Sequence, residues 1–229
     1  TFNSFIELFV ITRDSIVPAS RYIFNSVLVT IVAGTLVIIS SALCAYPLSK
    51  HKFPGRNVLF TIIIVSLMFV PETMAIPRYV VVSNLGIINT YWAHILPHLA
   101  APVGVFLMKQ FMDQVPNELL EAAKIDGARE WTIFTRVMIP VCMPAVATVA
   151  ILEFQQIWNN TETSILFTQD DAMKTFPFFM QSLTQNLANA VARQGAAAAS
   201  ALIMFLPTLI VFLFFQRKVI ATMAHSGIK

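Results

Sequence analysis

Charge is what this sequence has least of. Only 12% of its 229 residues are Asp, Glu, Lys or Arg, against roughly 25% in an ordinary soluble domain. With 57% hydrophobic residues and a mean hydropathy of +0.72, this scarcity excludes a water-soluble globule and places the chain in a bilayer. Glycine is sparse too, with seven in the whole chain, and no G-x-x-x-x-G-K-[ST] run occurs. The chain therefore lacks the loop that cradles nucleotide phosphates. Cysteine is limited to Cys44 and Cys142, both inside apolar runs, which excludes a disulfide framework and a cysteine metal cluster. The basic residues behind the formal net charge of +3 are scattered between apolar runs, so nucleic acid is not an expected partner. His94 and His98 share i,i+4 spacing, but Pro97 lies between them and no carboxylate completes a metal site. No histidine stands in a context suited to hydrolysis, so catalysis by this chain is not expected.

What the sequence does have is long apolar runs. A bilayer core needs about 20 apolar residues in a helix, and segments 22–49, 57–77, 91–111, 137–158 and 194–216 answer to that. Pro71 and Pro77 are expected to end or kink the second. Gly86 and Asn89 interrupt the run before the third, which suggests a short outer segment there. The expected fold is an all-α integral membrane protein, one transmembrane domain over residues 1–229 with five visible transmembrane helices.

The loops set the orientation. Lys50, Lys52 and Arg56 follow the first span; Lys109, Lys124, Arg129 and Arg136 lie between the third and fourth; Arg217, Lys218 and Lys229 follow the last. These faces read as cytoplasmic. The opposite face receives Arg13, Arg21, Arg78, Lys174 and Arg193, offset by Glu7, Asp14, Glu162, Asp170 and Asp171. Thr1 then starts outside, which predicts a sixth helix upstream of it. The Ala196–Ala199 run reads as a helix-helix interface, since small residues let helices approach closely.

Between the third and fourth spans, within a cytoplasmic loop at 112–136, residues 115–131 read VPNELLEAAKIDGAREW. Pro116 and Asn117 can open a helix, Glu118 and Glu121 suit its positive end, and Gly127 permits a left-handed stop. Leu119, Leu120 and Ala123, with Ala122, supply a small apolar stripe. A short helix with membrane spans on both sides is a mechanical coupler, because moving it moves the spans.

These residues carry a resemblance. Glu121-Ala122-Ala123, Asp126-Gly127-Ala128, Phe134, Val137, Ile139-Pro140 and Pro144 resemble the EAA loop of binding-protein-dependent ABC importer permeases, with Gly127 six residues after Glu121 and Pro140 thirteen further on. Val137 and Ile139 replace the usual Ile and Leu. The resemblance implies the type I importer permease fold. It also implies that Glu118, Leu119, Glu121, Ala122, Ala123, Asp126 and Gly127 meet a separate ATPase subunit, which would hold ATP and Mg while this chain binds no cofactor. Expected partners are a second homologous permease, two ATPase subunits, an extracellular or periplasmic solute-binding protein and membrane lipid. The expected location is the bacterial cytoplasmic membrane, crossed several times.

Asn25-Ser26, Phe53-Pro54-Gly55-Arg56, the 85–90 stretch LGIINT, Trp158-Asn159 and the tail at 216–229 resemble the carbohydrate-uptake branch, of maltose-transporter type. That implies an oligosaccharide or related polyol as cargo. A sugar path needs hydroxyl-binding groups in an apolar span, and Glu153, Gln156, Trp158 and Asn159 are its candidate lining. Two readings stand beside each other here, since Glu153 can equally pair with a partner subunit and Trp158 can sit in an interfacial aromatic belt. The external loop at 159–193, with its Phe176–Met180 cluster and polar residues 181–189, reads either as a surface for the solute-binding protein or as an interfacial helix. Rival functions are import of another solute, such as a peptide or amino acid, and autonomous secondary transport with Glu72 and Glu153 as ion sites.

Overall fold

The computed structural model describes residues 17–185, 198–199 and 201–216. Thr1, Glu7, Arg13, Asp14, Arg193, residues 194–197 of the expected last span, and Arg217, Lys218 and Lys229 of the tail lie outside the described residues. Everything assigned within them is helix, turn or loop, with no strand.

Helix α1, Ala19–Lys50, runs for 32 residues. It is the one described helix that is long and apolar enough by itself to cross a membrane. Past His51, the Phe53-Pro54-Gly55-Arg56 stretch turns the chain, with Gly55 at φ 86° where only glycine is unstrained. Helix α2, Arg56–Ser66, then spans 11 residues, about 16 Å at 1.5 Å per residue and well short of a bilayer core of about 30 Å. The expected span at 57–77 is therefore not one continuous helix. Pro71 biases Val70 out of the helical region, and the chain passes through a 3-10 turn, Pro71–Met74, into α3, Ala75–Asn84. Pro77 falls in the first turn of α3, where its missing N–H has no helical partner to lose.

Prolines also divide the later spans. Residues 91–111 become α4, Tyr91–Leu99, and α5, Pro102–Gln114. After α6, Asn117–Ile125, come α7, Glu130–Ile133, a π-helical turn, Phe134–Met138, and α8, Ile139–Val141. Cys142, between Pro140 and Pro144, separates these from α9, Met143–Trp158. Tyr91–Leu99 with Pro102–Gln114, and Glu130–Val141 with Met143–Leu166, are long and apolar enough to cross a membrane only when each pair is taken as one broken span. Helices α10, Glu162–Leu166, and α11, Phe176–Gln185, follow, and α12, Ala201–Gln216, is a shorter apolar helix.

The described residues fall into two compact units. One draws on 17–34, 75–98, 154–185, 198–199 and 201–212, the other on 35–74, 99–153 and 213–216. In the first unit, Asn25 on α1 donates to the carbonyls of Ala172 and Lys174 at 2.8 and 2.9 Å and accepts from the Tyr91 hydroxyl at 2.8 Å. Ser26 accepts from the Phe176 amide at 2.8 Å. Asn89, at φ 60°, receives the amides of Gln169 and Asp170 on its side-chain oxygen. The Asn25-Ser26 pair and the 85–90 stretch are thus the ties that pin the 159–175 segment to α1 and α4. Phe176 and Phe179 are buried with Tyr22, so these rings serve the unit's own core and not a surface. Arg78 pairs with Glu162 at 2.8 Å and Lys174 with Asp171 at 2.6 Å.

The second unit has an apolar core in which Ala42, Ala45 and Tyr46 of α1 meet Met108 and Met112 of α5, Leu120 of α6, and Ile133, Phe134 and Met138. Gly104 permits the closest approach: a Cβ there would lie 2.5 Å from Ser41 Oγ and 3.3 Å from Ser41 Cβ.

Candidate functional site

The EAA-like segment folds as its local chemistry dictates. Val115 is extended and Pro116, at φ −59°, occupies the N-cap, so α6 begins at Asn117 with Glu118 in its first turn and Lys124 in its last. At the other end the Ala128 amide bonds to the Ala123 carbonyl and the Gly127 amide to the Lys124 carbonyl, both at 3.0 Å. With Gly127 at φ 80°, this is a Schellman closure, and it satisfies carbonyls that the helix end would leave open.

The apolar stripe divides between two faces. Leu120, 7% exposed, and Ala123 turn into the core of the second unit. Leu119 and Ala122 turn outward with Glu118, Glu121, Asp126 and Gly127. Two residues that sequence reasoning passed over are also exposed: Ile125, on α6, at 86%, and Trp131, on α7, at 65%. Ile125 sits three residues beyond Ala122, so helical spacing alone was the available signal. The result is a short polar helix presenting an apolar ridge flanked by carboxylates, a surface suited to a protein partner.

Both flanks of α6 are held by the end of α1. Before the helix, Lys50 donates to the Val115 carbonyl at 2.6 Å and to Asn117 Oδ1 at 3.3 Å. Ser49 donates to Asp113 Oδ1 at 2.6 Å, while Lys109 donates to Oδ2 at 2.6 Å and lies 4.2 Å from the Phe60 ring centroid. Burial pushes the Asp113 carboxyl up, but the bonds from Lys109 and Ser49 outweigh it and hold it below its ordinary value. After the helix, the Tyr46 hydroxyl donates to Glu130 Oε1 at 2.6 Å, with His51 at 3.1 Å from the same oxygen and Lys124 at 3.4 Å from the other. That hydroxyl is the main reason the Glu130 carboxyl lies below its ordinary value. No sequence signal marked Tyr46 and Glu130, which stand 84 residues apart.

The expected path residues occupy different settings on α9 and just beyond it. Glu153 is buried at 4% exposure. Trp158 is 3% exposed, stacks on Phe154 and donates its indole N–H to the Met204 carbonyl at 2.9 Å. It ties α9 to α12. Gln156 and Asn159 are exposed, and Asn159 donates back to the Gln155 carbonyl at 2.8 Å.

His94 is fully buried, with Nδ1 2.9 Å from Thr163 Oγ1 and Nε2 3.0 Å from Thr168 Oγ1. Thr163 gives its proton to Asn160 Oδ1, so Nδ1 donates to Thr163 and Nε2 accepts from Thr168. Both ring nitrogens are committed to hydroxyls. Among the described residues no group of three or more His, Cys, Asp or Glu is placed to hold a metal ion.

The fold is that of solved ABC importers. A bacterial ABC transporter involved in the import of the acidic polysaccharide alginate superposes with a TM-score of 0.79 at 21% identity, covering 92% of this chain and 78% of the other. In sequence, the arabinooligosaccharides transport system permease protein AraQ of Halalkalibacterium halodurans is 34% identical over 205 residues, 90% of this chain and 72% of AraQ. The melibiose/raffinose/stachyose import permease protein MelC of Bacillus subtilis is 33% identical over 208 residues, 90% of this chain and 74% of MelC. Residues 34–224 match the family described as binding-protein-dependent transport system inner membrane component, and the chain belongs to it. It is an ABC importer permease of the inner membrane, and ATP hydrolysis takes place in separate subunits.

Proposed function

We propose that this permease carries an oligosaccharide or related polyol, and that α6 is its coupling helix. Glu118, Leu119, Glu121, Ala122, Ala123, Asp126 and Gly127 form or support the surface that an ATPase subunit meets. The observation that carries the coupling reading is the outward ridge of Leu119, Ala122 and Ile125 on a helix closed by Gly127 and anchored at both flanks. Ala123 works from the inner face, seating the helix on the core. The cargo reading rests on the names of the relatives AraQ and MelC.

The chain crosses the membrane several times with α6 on the cytoplasmic side. In support, Lys50, Lys52, Arg56, Lys109, Lys124, Arg129 and Arg136 gather after the first apolar run and between the third and fourth, where α6 lies. The full importer adds a second homologous permease, two ATPase subunits with ATP and Mg, and an external solute-binding protein. ATP binding closes the ATPase pair and carries α6 with it; the spans tilt, the path opens outward, and hydrolysis resets it. Glu153 is the path residue of greatest interest, because a buried carboxyl in an apolar span is costly unless it serves a ligand or a partner subunit.

The test is sugar uptake in proteoliposomes holding the whole importer, with the cargo identified on the cognate binding protein. Leu119→Asp and Ala122→Asp lie on the exposed face and leave the fold intact; each is expected to abolish binding-protein-stimulated ATPase activity. Glu153→Gln with Gln156→Ala is expected to raise the half-saturating sugar concentration. Full stimulation in the first pair overturns the coupling reading, and unchanged uptake in the second overturns the path.

A further inference from the structure

Tyr46 and Lys50 stand four residues apart on α1, and so on one face of it. From that face they reach opposite flanks of α6. Lys50 binds the Val115 carbonyl and Asn117, where the helix begins, and Tyr46 binds Glu130, five residues past its last turn. Ser49 reinforces the first flank through Asp113. The Tyr46 ring is 5% exposed and packs 5.1 Å from the ring of Phe134, so its hydroxyl is aimed and not swinging.

We infer that Tyr46 and Lys50 are positioning residues for energy coupling: they clamp the coupling segment at two points and make the long helix α1 a second lever for its motion. The inference rests on α6 being the coupling helix. Its physical ground is that one point of attachment leaves a helix free to pivot, whereas two points on either side of it transmit rotation as well as translation. Along the chain, α6 is joined only to α5 before it and to α7 and the π-helical turn after it. The clamp adds α1, which continues away from it as one unbroken helix of 32 residues. Each link has a charged partner and measures 2.6 Å at its shortest, and hydrogen bonds of that kind are about twice as strong as neutral ones. A rigid stroke of α6 must either carry the end of α1 or break these bonds.

The double variant Tyr46→Phe/Lys50→Gln, assembled with its ATPase, partner permease and binding protein in proteoliposomes, tests this through the sugar moved per ATP hydrolysed. The expected result is an assembled complex whose ATPase is still active and whose ratio falls by about threefold to tenfold, as loss of charge-assisted bonds on one stroke implies. Lys50→Arg alone, which keeps both the charge and the Tyr46 hydroxyl, is expected to retain most of the ratio. An assembled double variant with an unchanged ratio overturns the clamp. Should the double variant not assemble, Tyr46→Phe alone keeps the ring in place and removes only the hydroxyl, and an unchanged ratio there overturns it equally. Ala122→Asp separates the two levels. Intact coupled transport in that variant defeats the coupling-helix reading, whereas its loss beside an unchanged sugar-to-ATP ratio in Tyr46→Phe/Lys50→Gln defeats the clamp alone.

Discussion

Replacing Gly127 tests how α6 is terminated. The residue sits at φ 80°, and a Cβ built on it would meet nothing within 4 Å. Any cost of a side chain there is therefore backbone strain and not collision. An L-residue in the left-handed region costs about 1–2 kcal/mol, less for Asn, whose side chain tolerates it, and more for a β-branched residue. For Gly127→Ala that corresponds to a roughly fivefold to thirtyfold rise in the opened population of the helix end. The order of damage expected is Asn below Ala below Val. Hydrogen exchange on the assembled importer reads it directly, because the Gly127 and Ala128 amides close the Schellman pair. Their protection is expected to fall in that order, and binding-protein-stimulated ATPase activity to fall with it. An alanine variant protected as well as the natural chain, or a valine variant no worse than asparagine, would refute the reasoning.

Three further outcomes follow from other parts of the molecule. His94→Leu removes two buried bonds, but Thr163 keeps Asn160 Oδ1 as its acceptor and Thr168 can turn its proton to the Thr163 carbonyl at 3.3 Å, so thermal unfolding in detergent is expected to show a loss of about 1–2 kcal/mol and no more. Gly104→Ala forces a methyl against Ser41 and is expected to cost about 1–3 kcal/mol. Since Ser41 Oγ is buried without a partner among the described residues, Ser41→Ala alone is expected to be neutral or mildly stabilising and to relieve part of the Gly104→Ala loss in a double-variant cycle. Glu130 is held below its ordinary 4.5, first by the Tyr46 hydroxyl and then, against burial, by Lys124 and His51. A depressed acid contributes stability that is complete above its unfolded value and disappears as the pH falls through the folded one. The stability advantage over Glu130→Gln is therefore expected to be full above pH 4.5 and to shrink on acidification below it, as read by unfolding at stepped pH.

Much of the 115–131 segment was legible in advance because its determinants are local. A proline before the helix, acids in its first turn and a glycine past its last define start and stop within a dozen residues. The stripe was harder. Leu119 and Leu120 are neighbours in sequence, and nothing local decides which one turns into the core; the cluster around Ile133 and Phe134 decides it for Leu120. The same limit affected residues 57–77, where hydropathy marked a span but the effect of Pro71 depends on geometry. Trp158 read equally well as path or belt, and its bond to the Met204 carbonyl, 46 residues away, is a partner that no local pattern names.

Sequence alone determined that this chain lives in a bilayer, that it lacks a phosphate-binding loop, and that a capped helix lies between two apolar spans, since composition and near-neighbour chemistry suffice for each. Tertiary structure alone decided which face of that helix is free, that Tyr46 and Lys50 hold its two flanks, and that Asn25, Ser26 and Asn89 are ties. The physical reason is that a hydrogen bond such as Tyr46 to Glu130 closes a loop of 84 residues, and no pattern confined to neighbours in the chain specifies which distant side chains meet.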